Sequence, residues 1–586
     1  MVGGTLPAVV VVALAQGLVL RWLHHLAEGG AGAWSELSVL LPAYACTVAV
    51  PLTYYLLRSK LHGRARAAAL ALVGVVLGGT AWWVGWVNGP VGGLYPSTQG
   101  AVFLLLVLAV LGWFVALPFL ALGVRGSATP DGYAALFDEA WRLAITCAFA
   151  MVFTHLFWGL LSLFVALFEA IHISWPRELV WTQSFAYPAT CVAASFAIGL
   201  TDVQPEMFRA LRRLLLTVLR WLTVLLAAIV LLFLGTVVTE GVTVLWSTHF
   251  AAAGLIGTSI MLITLYNTVY QDGRETGRLP RALAWPVRAA LVVGPALAGL
   301  AFWALVLRVD QHGVSEDRLQ AIVVVVILSG YLLGYSLVAI AGARAPFTVR
   351  HVNVVMAIAM IATLVVIHSP VVDLKRIATS AQLERLTAEG DKLDFHYLRF
   401  QLGRYGLRAL DDLTRSPYES VAQLAKRAQA ETDWRNFPIF GRRPAADDRD
   451  RFLARFEVYP KDATLPADLV DMLQETYRRQ RWRLQCVDAG APCLALLVDL
   501  DRDGQAEAVV PLVGEGAVYA RRADGWVKVG ELQSGLYRTP DALRPDLLAG
   551  KAQPLPPSVY GGLKVGEDEF GFRPCTPSDP ACKPGS

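Results

Sequence analysis

Long apolar runs separated by short polar stretches fill the first two thirds of this chain. A helix needs about 20 mostly apolar residues to cross roughly 30 Å of hydrocarbon, where helical hydrogen bonding satisfies its backbone. The pattern therefore predicts a membrane domain over residues 1–374, an all-α polytopic bundle of about eleven transmembrane helices. We expect the spans near residues 3–22, 37–57, 67–87, 101–124, 143–168, 183–202, 214–237, 246–270, 287–307, 319–342 and 351–371.

The last third of the chain has the mixed polar and apolar pattern of a soluble domain, which we expect to be α+β. Helical spacing predicts a mainly helical subdomain over residues 375–483, with helices near Ala381–Glu389, Phe395–Leu413 and Ala467–Arg478. From residue 484 to 586, short apolar runs between turn residues predict a β-rich subdomain with an irregular end rich in Pro and Gly. Its strands are expected at Leu494–Val498, Ala508–Leu512, Ala517–Ala520 and Trp526–Val529.

Lys and Arg in the short loops predict the side of the membrane on which each loop lies, because they are retained in the cytoplasm. With a cytoplasmic amino terminus, the inner loops carry fifteen of these residues and the outer loops carry four. The bias holds at every loop. An odd number of spans then places the soluble domain on the non-cytoplasmic side.

Composition agrees with a membrane protein. Hydrophobic residues make up 55% of the chain and charged residues 17%, against averages of about 45 to 50% and about 25%. The net charge of +4 is small and no block of five like charges occurs. We therefore expect the lipid bilayer, and not nucleic acid, as a partner.

The soluble domain contains four cysteines, arranged as two Cys-x6-Cys pairs: Cys486 with Cys493, and Cys575 with Cys582. An even number of cysteines in an oxidising compartment favours disulfides. Four cysteines allow three pairings, of which we favour the local one. A zinc site is the alternative, but six residues separate each pair, whereas zinc ligands are usually separated by about two to four.

The most specific motif places oxygen-bearing side chains at alternate positions between two predicted strands, with Gly504 allowing a tight turn. Such ligands can surround a hard cation, and a structural Ca²⁺ is the expected one. An EF-hand needs a bidentate Glu at the twelfth position, which is Val510 here. The motif resembles the strand-loop-strand calcium loops of integrin-type propeller repeats, although a single copy excludes a propeller. An acidic turn without an ion is the alternative. The predicted metal ligands are Asp499, Asp501, Asp503, Gln505 and Glu507.

Four stretches carry a resemblance to a known family: Leu136–Trp141 with the Phe- and Trp-rich span after it, Tyr270–Gly273, Leu307–Gly313 and Leu393–Gly403. They resemble a family of bacterial inner-membrane proteins described as domain of unknown function 4153. The resemblance covers roughly residues 40–530. It implies a multi-pass protein of the bacterial inner membrane, so that the outer domain would be periplasmic, and it implies no activity and no site residues.

No complete set of catalytic residues occurs in the sequence, so we predict no catalytic or cofactor-binding residue and favour a protein that is not an enzyme. The first hypothesis is an envelope protein whose calcium-stabilised periplasmic domain senses or binds a periplasmic protein or envelope ligand. The second is a transporter, for which the polar residues at membrane depth are His155, Arg220 and His249. A structural role is favoured for each of the three.

The third hypothesis is an enzyme that resembles polytopic glycosyltransferases using lipid-linked donors. Those enzymes place an acidic base in the first outer loop. Here that loop holds Glu28 and Glu36, near His24 and His25. Acidic residues are common in loops, so a solvated loop is the favoured interpretation.

Overall fold

The computed structural model of the protein contains two units. The first consists of Met1–Glu384 and Gln401–Gly406, and the second of Arg385–Phe400 and Leu407–Ser586. The structure describes residues 6–29, 36–89, 96–201, 205–242, 251–273, 280–386, 393–432, 449–479, 484, 486–487, 492–510, 516–522, 525–534, 540–554, 563–565 and 568–574.

The first unit is built from helices. Among its described residues, ten helices are long and apolar enough to cross a membrane, and an apolar segment at Ala109–Leu122 belongs to the helix at the fourth predicted span. Each predicted span coincides with one helix, so the predicted polytopic bundle is confirmed. The helices are α1 (Leu6–Gly29), α2 (Leu37–Leu57), α3 (Gly63–Asn88), α4 (Pro96–Leu122), α5 (Pro130–Glu169), α6 (Trp175–Val180), α7 (Gln183–Thr201), α8 (Pro205–Glu240), α9 (Ala251–Tyr270), α10 (Arg281–His312), α11 (Glu316–Ala341), α12 (Val349–Ile367) and α13 (Leu374–Leu383).

Large apolar side chains cover the outside of these helices. Val75, Leu160 and Leu232 are 74%, 68% and 72% exposed. A soluble protein rarely presents so much contiguous apolar surface to water. In a bilayer the same surface contacts acyl chains.

Among the described residues, two apolar cores each join several of the spanning helices. One joins α1, α2, α4, α5 and α7, and the other joins α8 to α12 with the start of α5. Helix α1 lies very close to α7, because a Cβ atom at Gly17 would be 2.3 Å from the Cα atom of Pro188. Small residues permit such close contacts between membrane helices.

The described residues of the second unit form a mixed sheet of eight strands in the order β1-β2-β3-β4-β5-β8-β7-β6. Strands β1 and β2 are parallel, and the other neighbours are antiparallel. The strands are β1 (Phe456–Tyr459), β2 (Cys493–Val498), β3 (Glu507–Val510), β4 (Gly516–Arg522), β5 (Gly525–Ser534), β6 (Ala552–Pro554), β7 (Leu563–Val565) and β8 (Asp568–Pro574). The helices are α14 (Phe395–Phe400), α15 (Gly403–Leu413), which begins in the first unit, α16 (Glu419–Ala430), α17 (Arg449–Leu453), α18 (Ala467–Arg479) and α19 (Pro540–Leu548).

Alternation along the strands gives the sheet two buried faces. Leu494 and Leu496 of β2 pack in the core that includes α19, whereas Cys493 and Ala495 pack in the core that includes α18. A helix therefore covers each face. Strand β1 and helix α18 precede residue 484 and pack with the sheet.

The four predicted strands are confirmed, apart from residues 511 and 512, which lie outside the described residues. The prediction of an irregular end is wrong for the described residues up to Pro574, and residues 575–586 lie outside them. Residues 540–574 contain α19, β6, β7 and β8. Pro554 is tolerated because β6 is the edge strand, where a missing N–H costs no ladder hydrogen bond. Pairing with β5 overrides the weak strand propensity of the glycine in β8.

Two predicted helices have different bounds. The helix expected at Ala381–Glu389 begins earlier, since Asp373 caps α13 by accepting from the backbone N–H groups of Lys375 and Arg376 at 2.9 and 3.2 Å. It also ends earlier, at Leu383, and residues 387–389 lie outside the described residues. The segment Phe395–Leu413 forms two helices, α14 and α15, because Gly403 adopts a positive φ of 57° between them. The helix expected at Ala467–Arg478 is confirmed as α18.

Candidate functional site

The acidic loop joins the antiparallel strands β2 and β3. Their register pairs Val498 with Glu507, so the ladder brings the end of the loop back beside its start at Asp499. Gly504 has a φ of 89° and Arg502 a φ of 64°. These left-handed residues turn the chain sharply, as the glycine at this position predicts.

Three of the five predicted ligands converge. One carboxylate oxygen each from Asp499, Asp501 and Glu507 lies within 4.8 Å of the other two. Calcium binds oxygen at about 2.3 to 2.6 Å, so ligands on opposite sides of one ion are about 5 Å apart. The spacing of the three oxygens therefore fits a single Ca²⁺ ion.

Backbone N–H groups hold the carboxylates in place. Glu507, which is 3% exposed, accepts a hydrogen bond at Oε2 from Leu500 N at 2.7 Å. Asp499 Oδ2 accepts from Gly504 N at 3.0 Å. The other oxygen of Asp499, Oδ1, is buried and has no hydrogen-bond partner within the described residues. A buried oxygen with unused lone pairs can accept a cation.

The remaining two predicted ligands lie on the exposed side of the loop. Asp503 Oδ1 accepts from the backbone N–H of Gln505 at 2.7 Å, and both residues are exposed. Neither belongs to the converging group of carboxylates. Water molecules could complete the coordination shell there, as calcium commonly allows.

Burial and like charges act on the same carboxyl group. The pKa of Glu507 is raised above its ordinary value, first by burial and then by the neighbouring carboxylates of Asp501, Asp503 and Asp499. The hydrogen bond from Leu500 N opposes this shift. A bound divalent cation would reverse it by favouring the charged form.

The first cysteine pair forms a disulfide between Cys486 and Cys493, as local pairing predicts, and therefore not a zinc site. Cys493 is the first residue of β2, the strand that leads into the acidic loop. The other predicted pair, Cys575 and Cys582, lies outside the described residues.

Two of the three polar residues predicted at membrane depth lie within the described residues. His155 is exposed on α5, and its Nδ1 atom is 2.8 Å from the carbonyl oxygen of Met151 one turn earlier. Arg220 is partly buried on α8. His249 lies outside the described residues.

The two acids of the first outer loop also lie apart. Glu28 is 3.3 Å from His24 Nε2 and accepts from Gln183 at 3.4 Å. Glu36 is 3.5 Å from Arg404. Both carboxylates thus lie close to a basic side chain, and Glu36 Oε2 is buried without a hydrogen bond within the described residues. Residues 30–35, between the two acids, lie outside the described residues.

The sequence prediction missed a buried polar cluster in the first unit, the Lys375 cluster, formed by Trp83, Asn88, Glu316, Asp373 and Lys375. Lys375 Nζ donates to Asn88 Oδ1 at 2.7 Å and to the carbonyl oxygen of Gln401 at 2.9 Å, and it lies 3.6 Å from Glu316. Trp83 Nε1 donates to Asp373 Oδ2 at 2.8 Å. The cluster joins the end of α3 to the starts of α11 and α13.

A second polar cluster, the Tyr–Asn cluster, consists of Tyr133, Asn267, Tyr335 and Asn353. The Nδ2 atom of Asn353 donates to Tyr133 Oη at 2.7 Å and to Asn267 Oδ1 at 2.6 Å. Asn267 Nδ2 donates to Tyr335 Oη at 2.9 Å, and Tyr335 in turn donates to Asn353. Asparagine within an apolar span was the signal that could have indicated this cluster.

Residues 9–413 match the family described as Domain of unknown function (DUF4153). The chain belongs to this family. The match confirms the predicted family, but it begins earlier and ends earlier than the predicted range of residues 40–530. It includes both polar clusters of the membrane unit, ends well before the acidic loop and assigns no activity to the loop. Comparisons with curated proteins and with solved structures give no match.

Proposed function

We propose that this multi-pass membrane protein resides in a bacterial inner membrane and presents its last third to the periplasm. There the acidic loop binds a structural Ca²⁺ ion, and the surrounding domain binds or senses a periplasmic protein or envelope ligand. The observation that carries the calcium proposal is the convergence of Asp499, Asp501 and Glu507 within 4.8 Å.

Loop charges support the proposed side of the membrane, and helix ends agree with it. Asn88, Glu316 and Lys375 come from three helix ends predicted to be outer, and they meet in one cluster. The ends that meet in the Tyr–Asn cluster are all predicted to be inner. One lost or extra span would place some of these ends on opposite sides.

The disulfide is an independent argument for the periplasm. Disulfides persist in the bacterial periplasm and are rare in the cytosol, where thiols are kept reduced. Cys486 and Cys493 are paired. Calcium binding in the same domain fits a compartment outside the cytoplasm, where modules bind with dissociation constants of about 10⁻⁴ to 10⁻³ M.

Calorimetric titration of Ca²⁺ into the full-length protein, purified with a chelator into neutral detergent, tests the calcium proposal. We expect one binding event per chain. At a free Ca²⁺ concentration 100 times the dissociation constant, calcium should stabilise the folded protein by about 2.7 kcal/mol. Asp499→Asn and Asp501→Asn should abolish both. Asp462→Asn, which changes an exposed acid after β1, is the matched control and should retain both. If millimolar Ca²⁺ leaves the melting temperature of the wild type unchanged, the calcium proposal is wrong.

Neither alternative function is supported by the residues that the sequence singles out for it. A coupled transporter needs ionisable groups facing a cavity; His155 is exposed on the outside of α5, and the ionisable groups of the Lys375 cluster line a pocket of only about 40 Å³. A glycosyltransferase needs a free acidic base, whereas Glu28 and Glu36 each contact a basic side chain. The proposal of a partner-binding or sensing protein therefore stands ahead of both.

A further inference from the structure

An apolar groove of about 200 Å³ lies between α3, α4 and α12 of the membrane unit. Leu72 and Val76 of α3, Ala109 and Ala116 of α4 and Leu364 of α12 contribute to its lining. Leu72 is 53% exposed, so the groove opens on the surface of the spanning helices.

Small residues of α4 create this space. A Cβ atom at Gly112 would lie 2.9 Å from Leu364 Cδ1, so α4 and α12 touch at that point and close the floor of the groove. Ala109 and Ala116 lie about one turn to either side and leave the volume open. An engineered apolar cavity of about 150 Å³ stays dry and binds apolar molecules. Acyl chains surround the mouth of this groove in a bilayer.

Most polar groups along the groove are already satisfied within the protein. Thr80 Oγ1 donates to the carbonyl oxygen of Val76 at 3.0 Å, and Trp113 Nε1 donates to Thr53 Oγ1 at 2.9 Å. His368 differs from them. Its Nδ1 atom is 2.8 Å from the carbonyl oxygen of Leu364, so Nδ1 carries a proton, and in the neutral ring Nε2 is an acceptor.

His368 links the groove to the Lys375 cluster. The same side chain lines a small polar pocket together with Trp83, Glu316, Asp373 and Lys375. Two carboxylates face one ammonium group there. The carboxyl groups of Glu316 and Asp373 in this pocket disfavour an anionic headgroup and favour a hydrogen-bond donor that is neutral or positive.

We propose that the groove binds one acyl chain of a membrane lipid whose headgroup donates a hydrogen bond to His368, and that phosphatidylethanolamine is the lipid class that fits. The apolar groove selects the chain. The acceptor at His368 and the carboxyl groups of the Lys375 cluster select the ammonium headgroup. This inference concerns the membrane unit and is independent of the calcium proposal.

Native mass spectrometry of the full-length protein from mild neutral detergent tests the proposal. We expect one phosphatidylethanolamine retained per chain. Filling the groove with Ala109→Phe or Ala116→Phe should reduce the retained lipid about tenfold, a free-energy change of about 1.4 kcal/mol. Val110→Phe is the matched control, because Val110 is the neighbour of Ala109 and is 50% exposed; it should retain the lipid. Equal retention in all four proteins would mean annular lipid only and would overturn the proposal.

A thermal shift titration of the unmodified protein separates the headgroups and does not depend on variants that fold. Phosphatidylethanolamine vesicles should raise the melting temperature more than phosphatidylglycerol vesicles of the same acyl composition. His368→Phe should remove this difference while a retained lipid remains. Equal shifts with the two lipids in the unmodified protein would overturn the headgroup assignment.

Discussion

Replacing Glu507 by Gln should stabilise the calcium-free protein while abolishing its stabilisation by calcium. The substitution preserves the shape of the side chain and an oxygen that can accept from Leu500 N, which donates at 2.7 Å. It removes a buried negative charge that lies within 4.8 Å of two other carboxylates. Most substitutions of a buried hydrogen-bonded residue destabilise, so the expected direction distinguishes a metal site from an ordinary polar core.

The magnitude follows from the charge separations. At 4.8 Å, a pair of like charges repels by about 0.9 kcal/mol in water and about 3.5 kcal/mol at an effective dielectric constant of about 20. Because Asp501 is partly exposed, the repulsion in water of about 0.9 kcal/mol applies to each pair. The pairs of Glu507 with Asp499 and of Glu507 with Asp501 together cost about 2 kcal/mol. Changing a charged to a neutral acceptor at Leu500 N loses about 1 kcal/mol. The net gain is about 1 kcal/mol, or about 2 to 4 °C in melting temperature for a unit of this size.

The gain should depend on pH in a defined direction. The pKa of Glu507 is raised from 4.5 in the fold. The contribution of this group to stability is therefore fully favourable below pH 4.5 and is lost as the pH rises through its pKa in the folded protein. The difference in calcium-free stability between Glu507→Gln and the wild type should therefore vanish at acidic pH and be largest near neutral pH. Asp462→Asn should show no comparable change.

The assay is the melting temperature of the full-length protein in detergent, with chelator or with millimolar Ca²⁺, at several pH values. Wild type should gain stability with calcium, whereas Glu507→Gln should not. A calcium-free variant that is less stable than the wild type at neutral pH would refute the charge argument. Equal stabilisation of both proteins by calcium would refute the role of Glu507 as a ligand.

Three further changes probe the rest of the structure. Lys375→Met should lower the free energy of unfolding by about 3 to 5 kcal/mol, because Glu316 loses the ammonium group of Lys375. In the double variant Lys375→Met with Glu316→Gln, the melting temperature in detergent should recover part of this loss. A purely additive effect of the two substitutions would contradict the ion pair. Asn353→Leu should lower the free energy of unfolding by about 2 kcal/mol in the same assay, because each lost hydrogen bond contributes about 0.6 kcal/mol or more. An unchanged melting temperature would contradict the hydrogen bonds of the Tyr–Asn cluster. Replacing Cys486 and Cys493 by Ser should cost about 2 to 3 kcal/mol, measured by denaturation with and without reductant. Reductant should destabilise the wild type more than the variant, which keeps Cys575 and Cys582, and equal sensitivity would contradict the disulfide.

Membrane helices were predictable because each satisfies its backbone within one apolar segment. The α4 and α12 spans, for example, need only their own sequence to be recognised. The acidic loop was also predictable, since Asp499, Asp501 and Glu507 are close in sequence and the strand pairing of Val498 with Glu507 brings them together.

The polar clusters could not be predicted in this way, because their members come from distant parts of the chain. Trp83 and Asp373 are 290 residues apart, and Tyr133 and Asn353 are 220 apart. A lysine just beyond a span, such as Lys375, has the same local sequence whether it is solvated or buried. Packing of α3 against the starts of α11 and α13 decides between the two outcomes.

The prediction of an irregular end to the chain was wrong for a related reason. Pro and Gly near residues 552–574 weaken local strand propensity, and only pairing with β5 and position at the edge make these segments strands. Strand propensity depends more on neighbours than helix propensity does. In the same way, β1 could be recognised only by its parallel pairing with β2.

The side of the membrane on which the last third lies tests the account most directly, because both calcium and the disulfide depend on it. Alkaline phosphatase is active only where its own disulfides form, so a fusion after Ser586 should be active. A fusion after Ala345, in the predicted cytoplasmic turn between α11 and α12, should be expressed and inactive. An inactive but expressed fusion after Ser586 would contradict the account.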